Sequence, residues 1–219
     1  MNQNQSVLPG DVVATGDYRA DQNVILHDAG LISTTIGFSE TKDDIVSVVP
    51  ITGFYVPSAD DLVIGKVISH NALSWEIDIN SYYPGILFAS DIFGKDYLPS
   101  RDVLSSKLST GDIVLARVTN MGSRDPLITI VGENLGRIDS GELIKISSTV
   151  IPHLTDSIIQ IIEKSTNASI TVGQNGLIVL KCDNSAGLTK AIKSIKIIGM
   201  MRNSDSIEEK IKNFLDEDN

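Results

Sequence analysis

The sequence predicts a multidomain protein that is mainly β, with an α+β part near its C-terminus, and three observations support this prediction. Short runs of β-branched residues, separated by Gly, Asp and Pro, fill residues 1–137. From Gly141 onward, strand-like runs alternate with stretches of helical periodicity. Aromatic residues make up only 5% of the 219 residues, against 42% hydrophobic residues, so the cores must be built from aliphatic side chains.

The N-terminal residues predict a small β-barrel or sandwich. The runs VVATG, NVILHDAG, LISTTIGF and DIVSVVPI each place β-branched residues between turn residues, and no helix-length stretch shows 3.6-residue periodicity. In the segment YVPSADD, a proline and two adjacent acids interrupt the strand pattern. We therefore expect a domain boundary after Pro57 and assign residues 1–57 to the first domain.

Residues 58–137 predict a central five-stranded barrel. The strand-like runs are LVIGKVIS, SWEIDI, YPGILFA, IVLARV and LITIV, with turn residues between them. The polar residues 91–108 separate the third run from the fourth and leave room for a short helix near residues 101–107. Five strands with an insertion at this place are the layout of an OB-fold.

Residues 138–203 predict a KH-type domain with the order β-α-α-β-β-α. ELIKIS, ASITV and LIVLK are strand-like, VIPHL is counted as a helical turn, and LTDSIIQIIEKST has a helical pattern. A second long helix is expected over residues 183–198. Residues 204–219 predict one more helix, roughly from Ser206 to Leu215, and an acidic tail.

The charge distribution argues against a general nucleic-acid binder but leaves room for a local binding site. The net charge is −10, whereas contacts to phosphate need Lys and Arg. Residues 138–203 are net positive, with seven basic and five acidic side chains, and include the stripe Lys190, Lys193 and Lys196, which is typical of a solvated helix face. The acidic first domain would suit docking onto a basic protein partner.

Cysteine usage and hydropathy indicate a cytoplasmic protein without a membrane segment. A single cysteine, Cys182, excludes a disulfide framework and a cysteine-based zinc site. The first residues, MNQNQSVLPG, lack a signal pattern, and no apolar run approaches the roughly 20 residues that span a bilayer.

The turn Gly173-Gln174-Asn175-Gly176 has two interpretations. In KH domains a GxxG loop joins two helices and clamps phosphates through its backbone. Here the four residues lie between two strand-like runs, and Asn-Gly is a strong hairpin signal. A tight hairpin turn is therefore favoured over a phosphate clamp.

Seven residues of the barrel segment are candidate contacts to nucleic acid. Trp75 opens the alternating run SWEIDI, and an exposed aromatic ring on such a barrel stacks on bases. Trp75 shares its face with two isoleucines, so a place in the core is at least as good an interpretation. The full set is Lys66, His70, Trp75, Tyr82, Tyr83, Arg117 and Arg124.

The sequence does not predict an enzyme, a metal site or a bound cofactor. The three histidines fall one in each predicted domain, and none has a partner four residues away. The chain contains no GxSxG motif, no P-loop and no dinucleotide-binding glycine pattern.

The chain resembles the non-catalytic RNA-binding cap subunits of the archaeal exosome, of the Rrp4 type, which combine an N-terminal β domain, an S1-type OB domain and a KH domain. The resemblance covers nearly the whole chain. It rests on LPGDVVATGDY, DLVIGKVISHNALSWEIDINSYYPGILFASD, GDIVLARV, ENLGRIDSGELIKI and ASITVGQNGLIVL. The string VGQNG is close to a signature of this family's KH domain.

The resemblance implies a cap that binds RNA without cleaving it. Three such subunits, alike or mixed with another cap subunit, would sit on a hexameric ring of RNase PH-like proteins. The N-terminal domain would dock to the ring, and the barrels would guide single-stranded, A-rich RNA toward 3′-to-5′ degradation. The family's V-P-R-(I/V)-I-G segment is shortened here and lacks its glycine, so RNA contact is expected mainly at the barrel.

Two other functions remain open from the sequence. One is an assembly scaffold with little RNA affinity of its own. The other is a transcription or translation factor that uses the same modules and would bind polymerase or ribosome. Affinity for an RNase ring separates both the cap subunit and the scaffold from the factor.

Overall fold

The computed structural model consists of two compact units, residues 1–53 and residues 54–219. Each unit has its own hydrophobic core. The structure describes residues 5–50, 55–94, 96–98, 104–122, 125–200 and 207–217.

The first unit is a small β domain of two sheets, in which every strand pairing but one is antiparallel among the described residues. The four-stranded sheet has the order β1-β6-β7-β3, and the three-stranded sheet has the order β2-β5-β4. Among the described residues, the hydrophobic core cluster of this unit is aliphatic and includes Val7, Leu31 and Val46, and the predicted small β domain is confirmed. The strands are β1 (Gln5–Val7), β2 (Val12–Ala14), β3 (Arg19–Ala20), β4 (Val24–His27), β5 (Gly30–Ser33), β6 (Gly37–Lys42) and β7 (Ile45–Pro50).

The second unit begins with a closed five-stranded barrel. Each strand pairs with two neighbours in the cyclic order β8-β9-β10-β12-β11, and the β11–β8 pairing closes the circle. This is the OB-fold order, so the predicted barrel is confirmed. The strands are β8 (Leu62–His70), β9 (Ser74–Asp78), β10 (Gly85–Phe88), β11 (Ile113–Met121) and β12 (Pro126–Thr129).

Alternating residues of these strands fill the barrel because successive side chains of a strand point to opposite faces. Val63 and Val67 of β8, and Ile77 of β9, are fully buried in one cluster. The insertion between β10 and β11 forms α1 (Ala89–Phe93) and a 3-10 turn (Leu104–Ser106), and Leu104 and Leu108 pack against the same cluster. The helix expected near residues 101–107 is thus reduced to a single turn in its described part.

The C-terminal part has the predicted KH order. Its three strands form an antiparallel sheet in the order β14-β16-β15, and helices α2 and α3 pack against it through Ile158, Ile162 and Ile195. The elements are β14 (Glu142–Lys145), a 3-10 helix (Ser148–His153), α2 (Asp156–Thr166), β15 (Ser169–Val172), β16 (Leu177–Lys181) and α3 (Ser185–Met200).

The last helix, α4 (Ile207–Glu217), belongs to the KH core rather than forming a separate C-terminal segment. Ile207, Ile211 and Leu215 recur every four residues and are buried against α2 and α3. The Lys190 ammonium of α3 donates a hydrogen bond to the Leu215 carbonyl at 2.7 Å, which satisfies a carbonyl in the last turn of α4.

The observed boundaries of the barrel differ slightly from the expected ones. Tyr55 packs into the barrel core, although the boundary was expected after Pro57. Strand β13 (Gly136–Ile138) pairs with β11, so that Ile138 lies opposite Ile113 and extends the barrel sheet. Both ends of the barrel segment are therefore one to three residues longer than the strand pattern indicated.

Candidate nucleic-acid interface

The outer face of β8 and β11 carries two of the predicted RNA contacts. In the antiparallel ladder, Lys66 lies opposite Ile113, and Arg117 lies opposite Leu62. Both basic side chains are exposed. They are four residues apart along the ladder, which corresponds to about 13 Å.

The KH sheet covers the middle of this outer face. Ile64, which lies between Leu62 and Lys66 on the same side of β8, is fully buried with Leu177 and Val179 of β16. Lys66 and Arg117 therefore lie on the two sides of the region that the KH domain covers. The Arg117 guanidinium donates to the Asp60 carbonyl at 3.0 Å, which orients its side chain along the barrel surface.

The turn Gly173–Gly176 joins β15 to β16 and is also the main polar contact between the KH domain and the barrel. The Gln174 N–H donates to the Leu62 carbonyl at 2.8 Å, and the Gln174 side-chain oxygen accepts from the Leu62 N–H. The Asn175 side chain is fully buried, donates to the carbonyls of Ile64 and Ile79, and accepts from the Ile64 N–H. The turn consequently binds the barrel and is not presented to solvent as a phosphate clamp.

Both glycines of this turn are explained by close approach of backbone. A Cβ on Gly173 would lie 2.8 Å from the Ile64 amide nitrogen and would also collide with the Asn175 side-chain oxygen. Gly176 has a φ of 78° and lies against the Ile146 carbonyl, so it needs both a positive φ and the absence of a Cβ.

The two predicted tyrosines lie next to the same turn. Asn80 follows the end of β9, and its side-chain amide donates to the Asn175 carbonyl at 2.6 Å. Two residues later, Tyr82 is 77% exposed. Its ring meets that of Tyr83 edge to face, with 4.9 Å between the centroids and an angle of 77°. An exposed, supported aromatic ring of this kind can stack on a base.

Trp75 must be removed from the predicted RNA contacts. It is fully buried in the barrel core, and its indole N–H donates to the Leu108 carbonyl at 3.1 Å. Its ring lies nearly parallel to that of Phe93, with 6.5 Å between the centroids. The alternation of SWEIDI places Trp75 on the inner face with Ile77, which is the core interpretation that the sequence had left open. A fully buried indole cannot reach a nucleotide.

The remaining predicted contacts have different positions. His70 lies exposed at the end of β8, opposite Trp75 in the ladder. Arg124 lies outside the described residues. Arg137 was not among the candidates; its guanidinium is paired with Asp139 at 2.9 Å and with Asp112 at 3.6 Å. These carboxylates compete with phosphate for Arg137.

Phe88 was missed by the sequence prediction. It is 45% exposed on the outer face of β10, opposite Ser74 of β9. The β9–β10 face is where OB-folds bind oligonucleotides. The alternation in GILF was the available signal, because an inward Leu87 implies an outward Phe88. On β9, the same outer face carries the acidic residues Glu76 and Asp78, which disfavour phosphate and leave stacking as the interaction that Phe88 can offer.

The segment between the first two KH helical elements offers no glycine-based clamp. The 3-10 helix ends at His153, and α2 starts at Asp156 with an acid in its first turn. A negative charge at a helix N-terminus is favourable for the helix and unfavourable for phosphate. Of the basic stripe on α3, Lys193 and Lys196 are exposed, whereas Lys190 is engaged at the end of α4.

One buried tyrosine links the start of the barrel to its strands. The Tyr55 hydroxyl donates to the Asp61 carboxylate at 2.6 Å. Burial first, and then the hydrogen bond and charge of Asp61, raise the pKa of Tyr55 well above its ordinary value. The Asp61 carboxylate also accepts a hydrogen bond from the Ser58 N–H. It therefore holds the segment that precedes the first barrel strand at two points.

Among the described residues, no group of three His, Cys, Asp or Glu side chains could hold a metal ion. No helix in the described part of the chain is long and apolar enough to cross a membrane.

Comparison with known proteins relates the chain to components of the exosome. It is 49% identical over 214 residues to the exosome complex component Rrp4 of Nitrosopumilus maritimus, with 96% of this chain and 95% of the relative covered. It is 32% identical over 225 residues to the protein of the same name from Thermosphaera aggregans, with 97% and 91% covered. A crystal structure described as that of an exosome complex RNA-binding protein has a TM-score of 0.70 and 35% identity, and the match covers 75% of this chain and 97% of that one. No protein-family model matches the chain.

Proposed function

Because the chain belongs to the Rrp4 family of exosome components, we propose that it is a non-catalytic subunit that binds single-stranded RNA and guides it to the degrading subunits of an archaeal exosome. The observation that carries this proposal is the arrangement around the barrel–KH contact. Exposed Lys66 and Arg117 lie on the two sides of that contact, and the exposed tyrosine pair lies beside it. Cations for the backbone and rings for the bases are what sequence-tolerant RNA binding needs.

In this mechanism the chain binds RNA and cleaves no phosphodiester bond. Lys66 and Arg117 neutralise phosphates and release counterions, which makes the affinity fall with salt. Tyr82 stacks on a base, and stacking tolerates every base, with a preference for purines such as adenine that offer a larger ring. The chain would act in the cytoplasm and would need neither a metal nor a cofactor.

The N-terminal unit would dock the subunit onto a hexameric ring of RNase PH-like proteins. On its three-stranded sheet, Val12 lies opposite Ile32, and Ile32 lies opposite Ile25, which forms a cross-strand apolar row. Val12 and Ile25 are about half exposed. Residues 1–57 carry seven acidic and two basic side chains. An apolar row within an acidic domain fits a partner with an apolar patch and a basic rim.

Three copies, or copies mixed with another cap subunit, would surround the entry to the ring. Convergence of three barrels would bring three sets of Lys66 and Arg117 around one opening. A local field of this kind can attract RNA even though each chain has a net charge of −10.

An assembly scaffold remains the second candidate, and one observation favours it. The turn Gly173–Gly176 is used for contact with the barrel, and the segment before α2 contains no glycine. A KH domain without a clamp could serve only to stiffen the subunit between other chains.

The two candidates are separated by measuring RNA binding and ring binding on the same full-length protein. Fluorescence anisotropy with labelled oligoadenylate at 50 mM and at 200 mM salt should give an affinity that falls with salt. Co-elution with the RNase PH-like ring should accompany it. Ring binding without RNA binding would support the assembly scaffold. RNA cleavage by the chain alone would refute a non-catalytic role.

A further inference from the structure

The loop between β9 and β10 is attached to the KH domain at its first two residues. The Ile79 carbonyl accepts from the Asn175 side chain at 2.7 Å, and the Asn80 side chain donates to the Asn175 carbonyl at 2.6 Å. Asn175 belongs to the KH turn and is 95 residues away from Asn80 in the sequence. The position of the loop is thus determined by the KH domain as well as by the barrel.

Asn80 also determines the local backbone path. Its φ is 56°, in the left-handed region that Asn tolerates better than most residues. Its N–H donates to the Asp78 side chain at 2.9 Å. A single half-buried residue therefore turns the chain out of β9 and joins it to the KH turn.

The next residue of the loop is held as well. The backbone of Ser81 forms an isolated parallel β-bridge with that of Tyr55. The Ser81 hydroxyl donates a hydrogen bond to the Tyr83 carbonyl. Pro84 follows, and Gly85 is buried at the start of β10. The bond from Ser81 to Tyr83 and the edge-to-face contact of the two rings together orient the exposed Tyr82 ring.

We propose that Asn80 is a positioning residue for RNA, which transmits the position of the KH turn to the Tyr82–Tyr83 ring pair and so presents Tyr82 for stacking on a base. The inference rests on the proposed RNA-binding function. It gives the KH domain an indirect part in RNA binding although its own helix junction lacks a glycine clamp. A ring held in its bound orientation loses less conformational entropy when a base stacks on it, which raises affinity without any additional contact.

The variant Asn80→Gly tests this role with little disturbance of the backbone. Glycine adopts a positive φ freely, so the turn is retained while the amide that reaches Asn175 is removed. We expect the affinity for oligoadenylate to fall about three- to tenfold, the range for loss of one hydrogen bond. The slope of affinity against salt should stay unchanged, because no charge is removed. Asn134→Gly, at an exposed asparagine with a φ of 60°, is the matched control and should bind like the parent protein.

A double-mutant cycle separates positioning from a purely structural effect. If Asn80 acts through the rings, Asn80→Gly should have no further effect on affinity once Tyr82 and Tyr83 are both replaced by Ala. Its effect on the free energy of unfolding should persist in that background. Asn80→Asp, which keeps the shape of Asn and its tolerance of positive φ but loses the donor, serves as the second variant and should also lose affinity.

The outcomes distinguish this inference from the proposed function. Parent-like affinity in Asn80→Gly or Asn80→Asp, or affinity losses that simply add to those of the tyrosine variants, would overturn the positioning role while RNA binding stands. Absence of any salt-dependent RNA binding by the parent protein would overturn both.

Discussion

The side chain of Asn175 and the main chain of Ile64 are joined by two reciprocal hydrogen bonds. The Asn175 amide nitrogen donates to the Ile64 carbonyl at 2.6 Å, and the Ile64 N–H donates to the Asn175 side-chain oxygen at 3.3 Å. The β8–β9 ladder ends with Lys66 opposite Asp78, two residues before β9 would lie opposite Ile64. A primary amide offers two N–H donors and one carbonyl acceptor. One donor and the acceptor of Asn175 pair with Ile64 as a peptide group would, so Asn175 takes the place of the strand residue that would lie opposite Ile64.

Because Asn175 stands in for a missing strand partner of Ile64, we expect its side chain to be important for stability. Asn175→Ala would leave the carbonyls of Ile64 and Ile79 buried without donors, and each such group costs about 1–3 kcal/mol. We expect the free energy of unfolding of the second unit to fall by about 2–4 kcal/mol in urea denaturation. Gln174→Ala in the same turn is the control and should cost less than about 1 kcal/mol, because water can replace its bond to Leu62. Equal losses in the two variants would contradict this role.

Tyr82 and Trp75 should have opposite effects when replaced. Tyr82→Ala should lower the affinity for oligoadenylate about tenfold, within the range for one lost base stack, and leave thermal stability nearly unchanged. Trp75→Phe should lower the free energy of unfolding by about 1–3 kcal/mol through lost volume and the lost bond to Leu108. Its RNA affinity at low temperature should match that of the parent. A drop in affinity for folded Trp75→Phe would contradict the exclusion of Trp75 from RNA binding.

Lys66 and Arg117 should each contribute to the salt dependence of RNA binding. Neutralising one phosphate contact lowers the slope of log affinity against log salt concentration by about 0.7 on a single strand. We expect this change for Lys66→Ala and again for Arg117→Ala, measured by anisotropy across a salt series. Lys164→Ala, an exposed residue of α2, is the control. An unchanged slope in both barrel variants would mean that their charges do not meet phosphate.

Tyr55 should make the protein sensitive to alkaline pH. Its folded-state pKa is raised above the ordinary value of 10.0 by burial and by Asp61. The stability associated with the protonated hydroxyl is fully present below pH 10. Above that pH the unfolded chain releases the proton while the folded chain retains it, so stability falls by up to about 1.4 kcal/mol per pH unit.

The variant Tyr55→Phe isolates this effect. Urea denaturation at a series of alkaline pH values should show a shallower loss of stability in Tyr55→Phe than in the parent, because only the parent carries the buried Tyr55 hydroxyl. Tyr82→Phe, at an exposed position, should follow the parent. Parallel pH profiles for the parent and Tyr55→Phe would show that the buried hydroxyl ionises as readily when folded as when unfolded.

The regular elements could be predicted from the sequence because their signals are local. The alternation of SWEIDI places Ile77 inside the barrel, and the four-residue spacing of Ile207, Ile211 and Leu215 gives α4 its apolar face. Such periodicities are read within a few residues, and burial follows from them. The same alternation allowed a core position for Trp75 but did not decide between the core and the RNA-binding face.

The domain boundaries were less accurate because pairing between distant strands decides them. Ile138 looks like the start of the KH segment, yet it pairs with Ile113 of the barrel. Tyr55 precedes the turn residues that indicated a boundary, yet it packs into the barrel through contacts with other strands. Neither partner can be identified from the residues nearby.

By itself, the sequence favoured a tight turn between two strands at Gly173–Gly176 and placed cations and tyrosines in the barrel segment as candidate contacts. Only the tertiary structure decided what the turn contacts, since Asn175 and Ile64 are separated by 111 residues. The tendency of Asn-Gly to form a turn is a property of local φ and ψ angles. The burial of its amide depends instead on which chain lies nearby after folding, and on a strand that ends two residues too early to satisfy Ile64.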